Sequence, residues 1–349
     1  MKVKKKLKIS TPVSYLINIV LFAAFLALGT LLINSKVISN YYAKIIVLIG
    51  INIILTVSLN VATGYLGQLP LGHAGFMAVG AYASAIFLTR TSLPEAIAFP
   101  IGLILGTVIA GLVGILVGIP ALRLKGDYLA IITLGFGEII RVVLINIDSV
   151  LGFDFTYGGQ SLKNIPKLTT FFNAFLCVGI VCFIIHTMMK SKTGRAILSI
   201  RENEIAAESC GIDLTYYKTF GFTISAAMAG LAGALYASYL GILNPSTFGF
   251  MKSIEILVMV VLGGMGSMLG SVVSATVLTA VPELLRAFSD YRMIVYSLLL
   301  IIVMIFKPSG LFGRYDFSMR RFIENIANKE KTPKKKKSKD EEPQEGGAE

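Results

Sequence analysis

An all-α bundle of about ten membrane-crossing helices, some of them broken at glycines, is the fold predicted by three observations. Apolar residues make up 55% of the chain and mean hydropathy is +0.75. Charged residues make up only 15%, against about 25% in soluble domains. Several apolar runs reach the roughly 20 residues that a bilayer crossing needs. A membrane barrel would show short alternating segments instead.

Taken in order, the first span, 13–33, follows Lys2, Lys4, Lys5, Lys6 and Lys8. Its apolar part is long and no small-x-small cleavage site follows, so it reads as a retained signal-anchor. The spans at 41–62, 97–119, 170–189 and 219–240 rest on length and hydropathy. The span at 68–89 opens with TGYLGQLPLGHAGFMAVGAYASA, Thr63 to Ala85, with Pro70 among five glycines. The span at 128–146 carries Glu138 and Arg141, three apart and so on one face, read as an ion pair near its outer end. Residues 148–169 form the longest outer loop and contain YGGQS, Tyr157 to Ser161, either a plain connector or a surface for an outside partner. Spans 253–263 and 269–285 are joined by VLGGMGSMLGS, Val261 to Ser271, as one kinked helix or two half-spans. The last span is 293–306.

Charge sets the expected orientation, because Lys and Arg concentrate in cytoplasmic loops. With the N-terminus inside, the inner segments hold the five N-terminal lysines, Arg123, Lys125, the basic residues of 190–218 and those from Lys307 onward. Both termini then lie inside. The chain divides into a basic cytoplasmic N-terminus (1–12), a membrane domain (13–313) with an inner loop at 190–218, and a charged tail (314–349). The tail ends in a basic block followed by an acidic one and lacks the apolar residues needed to order it.

Composition also excludes function classes. The net charge of +12 comes from basic residues at membrane borders, where they set topology and meet anionic lipid, so nucleic acid is not the expected partner. Three cysteines give no disulfide framework, and His73 and His186 alone give no metal-ligand spacing. There is no catalytic constellation and no G-x-x-x-x-G-K-[ST] phosphate loop. An ion-coupled secondary transporter needs carboxylates deep in its spans; Glu255 and Glu283 read as interfacial, so that alternative is the weaker one.

The two glycine clusters admit two readings. Small residues let helices pack closely. Alternatively, helices broken at depth line a transport path, since irregular backbone there is tolerated only against protein or a water-filled cavity. Gln68 and His73 favour the path, because polar groups inside spans are costly. The candidate path residues are Gly67, Gln68, Gly72 and His73, with Gly263, Gly264, Gly266 and Ser267.

The inner loop RAILSIRENEIAAESCG, Arg195 to Gly211, fits a short amphipathic helix along the membrane, ended by glycine. Its Ala206-Ala207-x-x-x-Gly211 core resembles the loop by which ATP-driven import permeases dock on their ATPase. Other strings resemble the LivM-type permeases of bacterial branched-chain amino-acid importers: GYLGQLPLGHAGFMAVGAY, GDYLAIITLGFGEIIR, SAAMAGLAGALYA, SIEILVMVVLGGMGSMLGS and FKPSGLFG, spread over 50–313 in the family's order.

That resemblance implies a transport subunit in the bacterial inner membrane, not an enzyme. It implies a second, related permease, two cytoplasmic ATPases that carry the ATP and Mg, and an extracytoplasmic binding protein. The implied cargo is leucine, isoleucine, valine or similar amino acids, with urea, nucleoside or sugar permeases sharing much of the pattern. The implied docking residues are Arg195, Arg201, Glu204, Ala206, Ala207 and Gly211. The importers' docking motif has an acidic residue just before its two alanines; here Ile205 stands there, with Glu204 one place earlier.

Overall fold

The structure is a computed structural model that describes residues 11–124, 126–152, 156, 158, 161–285, 297–298, 301, 305–307, 310–311 and 313. The basic N-terminus to residue 10, the charged tail, most of the span expected at 293–306 and much of the Tyr157–Ser161 string lie outside the described residues. The chain forms two units. Of the smaller, Met1–Ala24 with Phe317–Glu349, only residues 11–24 are described, as the first turns of a helix, α1 (Thr11–Asn34). The larger unit, Phe25–Asp316, holds all the other described residues.

Regular structure among the described residues is helical, apart from one isolated pairing of Leu162 with Leu243. After α1, in chain order, come α2 (Asn40–Asn60) continued by a π-helical turn (Val61–Tyr65), α3 (His73–Arg90), α4 (Glu95–Ala121), α5 (Asp127–Leu151) and α6 (Phe171–Lys190). They continue as α7 (Lys192–Glu202), α8 (Glu204–Ser209), α9 (Leu214–Leu240), a 3₁₀ turn (Pro245–Phe248), α10 (Phe250–Gly263) and α11 (Met268–Leu284). Five stretches are long and apolar enough to cross a bilayer: Asn40–Tyr65, Glu95–Ala121, Asp127–Ser149, Phe171–Lys190 and Leu214–Leu240. Two shorter helices, Asn18–Asn34 and Met268–Leu284, are also apolar. The chain is a multi-pass membrane protein.

Two kinds of packing build the core. α2 and its π-helical turn are buried at every position from Ile51 to Leu66, between α6, α9, α10 and α11. α3, α4 and α9 meet through small residues. A Cβ on Gly80 would lie 2.2 Å from the Gly230 carbonyl oxygen, and one on Gly233 would lie 2.0 Å from that of Met77. Gly106 and Gly114 of α4 receive Gly80 and Ala226 in the same way. With no water in a bilayer interior, close van der Waals contact holds helices together, and small side chains allow it. For α9 and for Gly80 the close-packing reading of the glycines therefore applies.

The chain between α2 and α3 is different. A helix expected from residue 68 begins only at His73. Pro70 has no amide hydrogen to donate, and Gly67 sits at φ +76°, a region that disfavours any side chain. Although non-helical, the segment buries Gln68, Pro70 and Gly72, and two of its amides find partners: Gln68 N donates to the Ala62 carbonyl (2.9 Å) and Leu71 N to Thr133 Oγ1 (3.0 Å). Those bonds let irregular backbone survive away from water.

The second glycine cluster resolves into two antiparallel helices rather than one kinked helix. Gly264 (φ +106°) and Gly266 (φ +90°) reverse the chain. Gly263 then backs onto Gly270, and one turn further out Ser274 Oγ donates to the Met259 carbonyl (2.5 Å). α10 has 14 residues, about 21 Å of rise, which is shorter than the roughly 30 Å apolar thickness of a bilayer.

Glu138 and Arg141 form the expected ion pair, Nε to Oε2 at 2.7 Å. Glu138 stands near the middle of α5, as it does within 128–146, and not at an end of the helix. Glu138 lies about 17 Å along a helix about 37 Å long.

Candidate functional site

The inner loop folds as two short helices instead of one. α7 ends at Glu202, and the next residue, Asn203, caps α8 by accepting from Ala206 N (3.1 Å). A side-chain oxygen at that position satisfies an amide the helix start leaves free. α8 is closed by Gly211 at φ +80°, with Ile212 N donating to the Ala207 carbonyl (3.1 Å). α7 is amphipathic. Ile197 and Ile200 are buried, and Ile197 and Leu66 both lie against Gly221 of α9.

The loop's polar residues split into two sets. Arg195, Ala206, Glu208 and Gly211 are exposed, and Ile205 is 75% exposed, which is unusual for a large aliphatic side chain. Arg201 and Glu204 instead turn toward the long helices. Arg201 Nη1 donates to the Gly64 carbonyl in the π-helical turn (2.7 Å), and its Nη2 pairs with Glu202 (2.7 Å). The stem of Arg201 lies over Gly67, where an added Cβ would meet its Cγ at 2.8 Å. A Cβ on Gly266 would meet Nη1 at 3.2 Å. Glu204 Oε1 accepts from Lys218 Nζ (2.5 Å), a lysine only 5% exposed at the foot of α9, and lies 3.5 Å from Gln68 Nε2.

Asn60 completes the cluster from beneath. Its Oδ1 accepts from Gly266 N (2.8 Å) and its Nδ2 donates to the Ser267 carbonyl (3.2 Å). Ser267 Oγ caps α11 through Gly270 N (3.1 Å). Gly64 is held so closely here that a Cβ would fall 2.2 Å from Gly266 N. One arginine thus touches the end of α2, the Gly67 bend and the α10–α11 turn. A charge-assisted hydrogen bond of this kind is worth about 1.5–3 kcal/mol.

Of the candidate path residues, Gly67, Gln68, Gly266 and Ser267 come together at this cluster, and Gly264 lies in its turn. Gly263 faces Gly270 within the hairpin. Gly72 packs on the Thr133 carbonyl of α5, and His73, 2% exposed, has its Nε2 2.8 Å from Ser58 Oγ. Of the candidate docking residues, Arg201 and Glu204 belong to the cluster, while Arg195 reaches only the Lys190 carbonyl (3.3 Å). Sequence reasoning missed Asn60, Asn203 and Lys218, and noted Ile205 only as a departure from the docking motif. A lysine inside the first turns of an apolar helix, and an asparagine at the end of a buried one, were the signals available for two of them. Among the described residues no three His, Cys, Asp or Glu side chains gather as a metal site.

Comparison with known proteins places the chain in a family. Residues 41–306 match the family described as branched-chain amino acid transport system / permease component. The chain is similar to the high-affinity branched-chain amino acid transport system permease protein LivM of Salmonella typhimurium, with 38% identity over 295 residues, covering 75% of this chain and 67% of the relative. It is similar to LivM of Escherichia coli, with 37% identity over 308 residues, covering 78% and 70%. A shorter likeness joins it to the LivH permease of Salmonella typhimurium, with 34% identity over 126 residues, covering 36% and 41%. No solved structure matches.

Proposed function

The chain belongs to the branched-chain amino acid transport permease family, and from that premise we infer that it is a membrane subunit of an ATP-driven importer of leucine, isoleucine and valine. It contains no phosphate loop of its own, so the energy comes from two cytoplasmic ATPases that hold ATP and Mg. A second, related permease completes the path, in keeping with the likeness to both LivM and LivH. An extracytoplasmic binding protein delivers the cargo. The chain crosses the bacterial inner membrane about ten times, with both termini inside, as the distribution of Lys and Arg favours.

The observation that carries the mechanism is the contact of Arg201 with Gly64 (2.7 Å). The exposed edge of α7–α8, with Arg195, Ile205, Ala206 and Gly211, seats in a groove on the ATPase. Arg201 and Glu204 on the opposite edge hold the two helix breaks. Movement of α7–α8 on nucleotide binding therefore reaches the Gly64–Gln68 bend and the Gly263–Ser267 turn directly. These breaks line the inner part of the path and open or close it.

The test is co-purification of the tagged chain in mild detergent, followed by uptake in proteoliposomes. Recovery of a second permease and P-loop ATPases, and ATP-dependent uptake of labelled leucine with the binding protein present, is the expected result. Uptake that collapses with an ionophore and ignores ATP would establish a secondary transporter instead. Uptake of urea, a nucleoside or a sugar in place of leucine would reassign the cargo.

A further inference from the structure

Glu138 and Arg141 are charged residues that the cluster at Arg201 leaves unused. They stand near the middle of α5, about 17–21 Å from its inner end. Their side chains are 32% and 29% exposed, although Ile139, Val142 and Val143 around them are apolar and open. Charges in the middle of a spanning helix are costly against lipid and face the bundle interior or a water-filled cavity.

Their geometry leaves binding capacity. Glu138 Oε2 accepts from Arg141 Nε, and its Oε1 accepts from Phe250 N at the start of α10 (3.0 Å). Each carboxylate oxygen keeps a second lone pair. Among the described residues the terminal nitrogens of Arg141 carry no hydrogen bond, so the bidentate edge of the guanidinium is unused. The N-terminus of the 14-residue α10 adds partial positive charge beside it. Gly249 adjoins both side chains: a Cβ there would be 3.7 Å from Glu138 Oε1 and 3.8 Å from Arg141 Cδ, in ordinary contact.

We propose that Glu138, Arg141 and the N-terminus of α10 form a subsite in the transport path for the zwitterionic head of an α-amino acid. Arg141 takes the carboxylate beside the positive end of α10, Glu138 takes the ammonium, and the exposed Val142, on the adjoining helix face, meets the aliphatic side chain. This subsite rests on the importer reading and adds to it a place where the permease itself recognises cargo.

The test uses the assembled importer without its binding protein. In the wild type, millimolar leucine is expected to raise the thermal midpoint. Leucine without its carboxyl (3-methylbutylamine) or without its amine (4-methylpentanoate) is not. Arg141→Gln and Glu138→Gln are expected to lose that shift and to lower ATP-driven leucine uptake at least tenfold, while still co-purifying with their partners. Equal shifts from all three compounds, no shift from leucine, or uptake in both variants at the wild-type rate would overturn the subsite. A wild-type importer that takes up no branched-chain amino acid would instead remove the importer reading. If neither variant assembles, the three-ligand comparison on the wild type still decides.

Discussion

At the scale of single residues, Arg201 carries more structure than its place on an inner loop suggests. Its guanidinium donates to the Gly64 carbonyl, pairs with Glu202 and lies beside Gly266, while its stem covers Gly67. Its Nε is buried with no partner among the described residues, a cost that is tolerated because the fork reaches Gly64 and Gly266 together. Lysine has the charge without the fork. Arg201→Ala and Arg201→Lys are therefore both expected to lower ATP-driven uptake about tenfold or more, which corresponds to the loss of about 1.4 kcal/mol of coupling. ATP hydrolysis by the assembled complex is expected to persist. The measurement is uptake per ATP hydrolysed in proteoliposomes. A lysine variant with the wild-type ratio would show that only charge matters at this position, and an alanine variant with that ratio would remove Arg201 from the coupling route.

At the scale of elements, two glycines with the same side chain have opposite roles. Gly230 on α9 is pressed against α4, with room for a Cβ only 2.3 Å from that of Ala110. Gly211 has nothing within 4 Å of such a Cβ, but its φ of +80° penalises any side chain. Gly230→Leu is expected to prevent the α3–α4–α9 core from closing, seen as loss of folded protein after detergent extraction. Gly211→Val is expected to cost about 1–2 kcal/mol locally, leave that core folded, and abolish co-purification with the ATPases. Normal recovery of Gly230→Leu, or normal ATPase binding by Gly211→Val, would contradict the respective assignment. Most of these elements were legible in the sequence because a bilayer crossing needs a long apolar run and a break needs Gly or Pro. The fold class, α2, α4, α6 and α9 follow from that alone. Less legible was the α3 boundary. A buried non-helical stretch is permitted only because Thr133, far along the chain, satisfies Leu71 N, and no local pattern announces a partner so distant. The place of Glu138 was misjudged although the sequence held it: it is the eleventh of the 19 residues in 128–146, as it is the twelfth of the 25 in α5. The convergence of Arg201 with both glycine breaks was not legible either, since it depends on contacts between residues 137 positions apart.

At the scale of the whole molecule, an ATP-driven importer places α7–α8 in the cytoplasm and against a partner, and one side chain tests both. Cys210 is an exposed free thiol between Ala207 and Gly211. The other two cysteines are poor competitors: Cys177 is buried, and Cys182 lies within the apolar α6. A membrane-impermeant maleimide is therefore expected to label the chain at Cys210 in inverted vesicles and not in right-side-out ones. If the ATPases dock as proposed, stripping them from inverted vesicles is expected to raise the labelling rate several-fold by uncovering the exposed edge of α8, and adding them back is expected to lower it again. Replacing Cys210 with serine controls for background and leaves a residue of similar size. Labelling from the outer side would invert the orientation and place the docking edge where no ATPase can reach it. Labelling from the inner side that is indifferent to the ATPases would keep the topology and move the contact elsewhere on the inner surface. Only sidedness and protection together are consistent with a loop whose outer edge is gripped by a motor while its inner edge, through Arg201, holds the helix breaks.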